Sequence, residues 1–270
     1  MSPQNNKNEP SLSKIMKSGK SMILAYDQGI EHGPTDFNLK NLDPEFILQI
    51  ALNADYNAVV LQPGVAEKYY SGIYKKVPLL LKLNGKTKLG NKIISKQLCS
   101  VKEAIELGAS AVGYTIYPGS EYEAEMFSEF RNIVVEAHAK KIPVIAWVYP
   151  RGPRIDENST ENMAYATRVG LELGADIIKI KYNGDFDGFR WAVKCAGKTK
   201  VLVAGGSRNN DYDFLKMVEE IMKAGASGIA VGRNVWQNEK PIAMSKAISS
   251  MIFNDKTADE AYKIFLKEKT

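Results

Sequence analysis

The chain has 270 residues, 44% hydrophobic and 25% charged, with a formal net charge of +5, which is enough apolar content for one large core. No apolar run approaches the length of a membrane span, and the lysines are spread rather than gathered into the basic tract that nucleic acid would need. Two histidines, His32 and His138, and two cysteines, Cys99 and Cys195, leave neither a three-histidine zinc site nor a disulfide framework. We therefore expect a cytoplasmic protein with no zinc or dinucleotide cofactor and no nucleic-acid or membrane partner, while composition leaves magnesium held by Asp or Glu open. The polar start MSPQNNKNEPSLSK lacks a signal-peptide centre and reads as a flexible arm over 1–14, ahead of one domain over 15–270.

From the N-terminus, eight short apolar runs have the composition of buried strands: SMILAYD (21–27), NAVVLQP (57–63), VPLLLKLN (77–84), SAVGYTIYP (110–118), PVIAWVYP (143–150), DIIKIKY (176–182), KVLVAGG (200–206) and SGIAVGRN (227–234). Amphipathic helical segments separate most of them, among them DPEFILQIALNA (43–54), SVKEAIELG (100–108), EAEMFSEFRNIVVEAHAKK (123–141), ENMAYATRVGLELG (161–174) and DYDFLKMVEEIMKAG (211–225). Gly108, Gly174 and Gly225 each stand between a helix end and the next strand, where a left-handed cap is wanted. Such alternation specifies a parallel sheet, and eight units favour an α/β fold of the (β/α)8 TIM-barrel type over a doubly wound open sheet.

In such barrels the chemistry sits at the C-terminal strand ends. Read in order, these ends bring Asp27, Lys82, Trp147 with Tyr149, Lys179 with Lys181, Ala204 to Gly206, and Gly232 with Arg233 to one mouth. Side chains alternate along a strand, so Lys179 and Lys181 share a face with α-carbons roughly 6.6 Å apart. Burial and a second ammonium both lower a lysine pKa, which would make Lys179 a nucleophile with Lys181 as its neighbouring cation. On these residues alone, two lysines reaching solvent at a strand end is an equal reading. Tyr149 could move a proton or merely line the mouth, and Asp27 could handle protons or pair with Lys82. The glycine turns AGGS (204–207) and VGRN (231–234), with Arg233, fit a phosphate cradle and equally fit tight βα turns. NGKT (84–87) has a P-loop ending, but Leu80 stands where that motif requires glycine.

The stretches ILAYDQGIEHGP (23–34), LKLNGKT (81–87), ASAVGYTIYPGS (109–120), WVYPRG (147–152), GADIIKIKYNGD (174–185), AGGS and GIAVGRNVWQ (228–237) together resemble the archaeal-type class I fructose-1,6-bisphosphate aldolases. The resemblance implies a metal-independent lyase that reversibly cleaves fructose 1,6-bisphosphate to dihydroxyacetone phosphate and glyceraldehyde 3-phosphate through a Schiff base on Lys179, with Tyr149 as proton donor. It also implies substrate contacts from Asp27, Gln28, His32, Trp147, Arg151 and Lys181, and phosphate contacts from the Ala204–Gly206 and Gly232–Arg233 turns. Two positions depart from the family pattern: Gln28 replaces a frequent histidine and Ala204 a frequent serine. A sugar-phosphate substrate and a homo-oligomeric state are expected. The sibling reading is an amino-dideoxy-heptulosonate synthase, and the reading from another class is a non-catalytic phosphosugar-binding barrel.

Overall fold

The computed structural model describes residues 10–267. All eight runs form strands: β1 (Ser21–Ala25), β2 (Ala58–Leu61), β3 (Leu79–Lys82), β4 (Ala109–Ile116), β5 (Val144–Val148), β6 (Ile177–Ile180), β7 (Lys200–Ala204) and β8 (Gly228–Val231). Every pairing is parallel and between chain neighbours, and β8 closes on β1, which makes the sheet a (β/α)8 barrel. Each strand stops two or three residues before the end of its apolar run. Among the residues left over, Asp27, Tyr149, Lys181, Gly206 and Arg233 line the mouth.

Period-two alternation sorts each strand between two cores. Ile23 and Ala25, Ala58 and Val60, Leu80, Ala111, Ile145, Ile177, Leu202 and Ala230 point inward and form one buried cluster, while their neighbours pack under the helices. Ile15 and Met16 join the inner cluster, with Leu12 against it, and so add the N-terminal segment to the barrel interior. Of the arm expected over 1–14, residues 1–9 lie outside the described residues. Within them, Leu12–Lys14 is a 3-10 turn rather than loose chain.

Helices start and stop where the sequence directs. Ser100 and Glu103 close a reciprocal capping box on Val101–Glu106. Gly108, Gly174 and Gly225 follow their helices at φ of 87°, 89° and 102°, a region L side chains avoid. One element was not foreseen: Asn84–Gly85 pairs antiparallel with Lys96–Gln97 beyond β3. The Asn84 side chain fastens it, donating to the carbonyls of Ser95 and Thr115 and accepting from the Thr115 amide.

Candidate active site

The inward stripe of each strand continues into a cavity of about 370 Å³ at the C-terminal mouth. Asp27 follows Ile23 and Ala25, Lys82 follows Leu80, Trp147 and Tyr149 follow Ile145, and Lys179 and Lys181 follow Ile177. The same rule of alternation that fills the barrel therefore aims polar groups at its opening. Every site residue singled out in the sequence lines this cavity: Asp27, Gln28, His32, Lys82, Trp147, Tyr149, Arg151, Lys179, Lys181, Ala204, Gly205, Gly206, Gly232 and Arg233. Three further polar lining residues, Glu31, Thr115 and Tyr182, were missed, and Ser207 was read only as the end of the AGGS turn. Thr115 was legible, two residues beyond Gly113 on the inward stripe of β4. Glu31 and Ser207 stand outside the strands, where no periodicity marks them.

Lys179 is 6% exposed, and its pKa falls from 10.5 to about 8. Burial is the largest cause and the Lys82 cation adds to it, while Asp27 and Glu31 oppose both. This corrects the sequence expectation for Lys181. Its ammonium is drawn 2.8 Å from Glu157, with the side chain 43% exposed, so the neighbouring cation that acts on Lys179 is Lys82. Lys82 is buried, and its Nζ lies 3.8 Å from Asp27 Oδ2, the pairing the sequence had left open. The Trp147 ring stands 4.9 Å from Lys179 Nζ and 5.3 Å from Lys82 Nζ, so one indole meets both cations. Gly113 makes room for it, since a Cβ there would lie 2.1 Å from Trp147 Cζ3.

Tyr149 sits beside this centre, with its ring 5.8 Å from both the Arg151 guanidinium and Lys181 Nζ. Desolvation, then the carboxylates Asp27 and Glu31, raise its pKa well above 10, against a smaller opposing pull from Arg151. The phenol therefore carries its proton at neutral pH. Glu157 ties Lys181 to Arg151, whose Nε is 3.3 Å from Glu157 Oε1.

Beyond β7 and β8 the backbone carries the site. Gly206 has φ of 70°, and a Cβ at Gly232 would meet the Ala25 carbonyl oxygen at 2.9 Å. Among the described residues, the amides of Gly206, Ser207 and Gly232 donate to no protein acceptor. Arg233 stands beside them, 3.6 Å from Asp36 Oδ1, and Asp36 Oδ2 lies 2.6 Å from His32 Nδ1. Open amides next to a guanidinium form an anion site. Gln28 Nε2 and Trp147 Nε1 are buried and likewise unpartnered.

A model of the DeoC/LacD family aldolases matches residues 21–238. The chain belongs to this family. Within the aldolases it stands with the class 1 enzymes of archaea. It is 51% identical to "Fructose-bisphosphate aldolase class 1" of Thermoproteus tenax, over 94% of this chain and 98% of the relative. It is 44% identical to the protein of the same name from Halobacterium salinarum, over 92% and 96%. An archaeal fructose-1,6-bisphosphate aldolase solved with its catalytic Lys covalently bound to the carbinolamine intermediate superposes with a TM-score of 0.86, at 51% identity, over 89% of this chain and 97% of that one. As an aldolase the chain is a carbon–carbon lyase, so a barrel that only binds phosphosugars is set aside. Among the described residues, no three His, Cys, Asp or Glu gather where they could hold a metal.

Proposed function

We propose that the chain cleaves fructose 1,6-bisphosphate reversibly into dihydroxyacetone phosphate and glyceraldehyde 3-phosphate, with Lys179 as the nucleophile. The observation that carries this reading is a buried lysine at a strand end whose pKa is brought down to about 8. At pH 7 about a tenth of it is then neutral, against roughly one part in three thousand at the ordinary value.

The neutral amine adds to the C2 ketone to give a carbinolamine. Tyr149 protonates the departing hydroxyl, and water leaves an iminium at C2. The tyrosinate then takes the proton from the C4 hydroxyl. The C3–C4 bond breaks, its electron pair becomes the C2=C3 bond of an enamine as the C=N pair moves to nitrogen, and glyceraldehyde 3-phosphate is released. Protonation of the enamine at C3 and addition of water return dihydroxyacetone phosphate and the amine. Asp27 and Glu31 favour a cation at Lys179 Nζ, so the same carboxylates favour the iminium. The phosphate on C1 is attached next to the carbon that Lys179 attacks, and the β7 and β8 turns follow β6 around the barrel, so we assign the Gly206–Arg233 cradle to it. The unpartnered Gln28 Nε2 and Trp147 Nε1 suit substrate hydroxyls. A homo-oligomer in the cytoplasm completes the proposal; the free cysteines Cys99 and Cys195 suit a reducing compartment.

Purified protein supplied with fructose 1,6-bisphosphate should release the two triose phosphates, and Lys179→Ala should release neither. Turnover by Lys179→Ala at the wild-type rate would refute the assignment, and activity only in heptulosonate synthesis would favour the sibling reading.

A further inference from the structure

The turn after β7 has a support that the sequence reading did not identify. Asn234 follows Arg233 directly and is completely buried. Its amide nitrogen donates to the carbonyls of Gly205 and Ser207, each at 2.7 Å, and its Oδ1 accepts from the Asn209 amide at 2.8 Å. One side chain thus satisfies three backbone groups of a five-residue turn. It ties that turn to the turn after β8, where Arg233 is held.

A short turn has few ways to place its peptide groups. With the Gly205 and Ser207 carbonyls drawn to Asn234, the Gly206 and Ser207 amides are left unpaired beside the cavity. Unpaired amides repel one another and would normally relax toward water or a carbonyl. Asn234 supplies the fixed partners that prevent this, so the cradle is formed before a phosphate arrives.

We propose that Asn234 is a positioning residue for phosphate binding: it orders the β7 turn so that its amides, with Arg233, receive the phosphate of the ketose. The role rests on the aldolase reading above. Aspartate at 234 would keep the volume and the acceptor but set a carboxylate against two carbonyls, so it should fail as alanine does.

The test is borohydride trapping of two ketones that differ by one phosphate. The wild type should trap dihydroxyacetone phosphate at far lower concentration than dihydroxyacetone. Asn234→Ala and Asn234→Asp should each need about tenfold more dihydroxyacetone phosphate, as expected for loss of charge-assisted bonds, with unchanged trapping of dihydroxyacetone. An equal loss on both ketones would make Asn234 a general structural residue and overturn the proposal, as would no loss on either. A wild type that traps neither ketone would overturn the aldolase reading itself. Amide exchange in the wild type decides the matter even if both variants fail to fold. Without ligand the Asn209 amide should exchange slowly and those of Gly206 and Ser207 quickly, with inorganic phosphate slowing the latter two. An Asn209 amide exchanging as fast as that of Gly206 would show that Asn234 does not hold the turn.

Discussion

Lys82 and Lys179 crowd one indole, and their mutual repulsion is part of what leaves Lys179 able to attack a ketone. Replacing Lys82 by methionine removes a cation that lowers the Lys179 pKa and leaves Asp27, which raises it, without its partner. Both changes act in the same direction. The acidic limb of kcat/KM, set by Lys179 near pH 8, should move to higher pH, with low activity at pH 7 partly recovered at pH 9. Lys181→Met should leave that limb in place, because the Lys181 charge is spent on Glu157. A pH profile of each variant checks this, and equal shifts in both would contradict it. The same pKa has a cost in stability. Lys179 titrates lower in the folded chain than in the unfolded chain, so between about pH 8 and 10.5 the unfolded state binds more protons and stability rises with pH. Below about pH 8 the whole penalty is present. Lys179→Met should therefore be the more stable protein at pH 7, by about 2–4 kcal/mol in denaturant unfolding, and a variant less stable than wild type would show that burial does not penalise the cation.

A strand carries its site residues by continuing its own alternation, and that is why so much of the mouth could be read in advance. Trp147, Tyr149, Lys179 and Lys181 follow from period two within β5 and β6 and their extensions, and the capping glycines Gly108, Gly174 and Gly225 from helix endings. What could not be read depends on closure of the barrel. Lys82 and Lys179 lie on β3 and β6, and no local pattern says that these two, rather than Lys179 and Lys181, interact. Glu31, Ser207 and the Asn234 clamp depend on turn conformation, which hydrophobic periodicity does not encode. Gly113 is a similar case: in the sequence it is one glycine inside a strand, and in the barrel it is the space for the Trp147 ring. Gly113→Ala should push the indole from its place, costing about 1–3 kcal/mol in unfolding free energy as overpacking does, and should lower kcat more than proportionately by displacing Lys179's apolar wall. Tryptophan fluorescence and kcat measured together check this, and an unchanged kcat would mean that the indole is not needed where it stands.

The whole molecule is a closed parallel barrel whose inner stripe is apolar as far as Ala25, Leu80, Ile145 and Ile177 and polar beyond them. The apolar layers exclude water from below, so the desolvation that lowers the Lys179 pKa is a property of the barrel as a whole and not of one neighbour. On the proposed function the mouth brings three chemistries into one cavity: Lys179 at β6 as the nucleophile, a protonated phenol beyond β5, and open amides beside Arg233 beyond β7 and β8 to take a phosphate. The central claim is that this arrangement forms a covalent bond between Lys179 and the ketone of the substrate. It is tested most directly by reducing the protein with borohydride in the presence of dihydroxyacetone phosphate and locating the added mass by peptide mass spectrometry. One adduct per chain is expected, on Lys179 alone, formed more slowly in Tyr149→Phe, which lacks the acid that expels the hydroxyl, and absent in Lys179→Ala. An adduct on Lys82 or Lys181, or none on the wild-type chain, would contradict it.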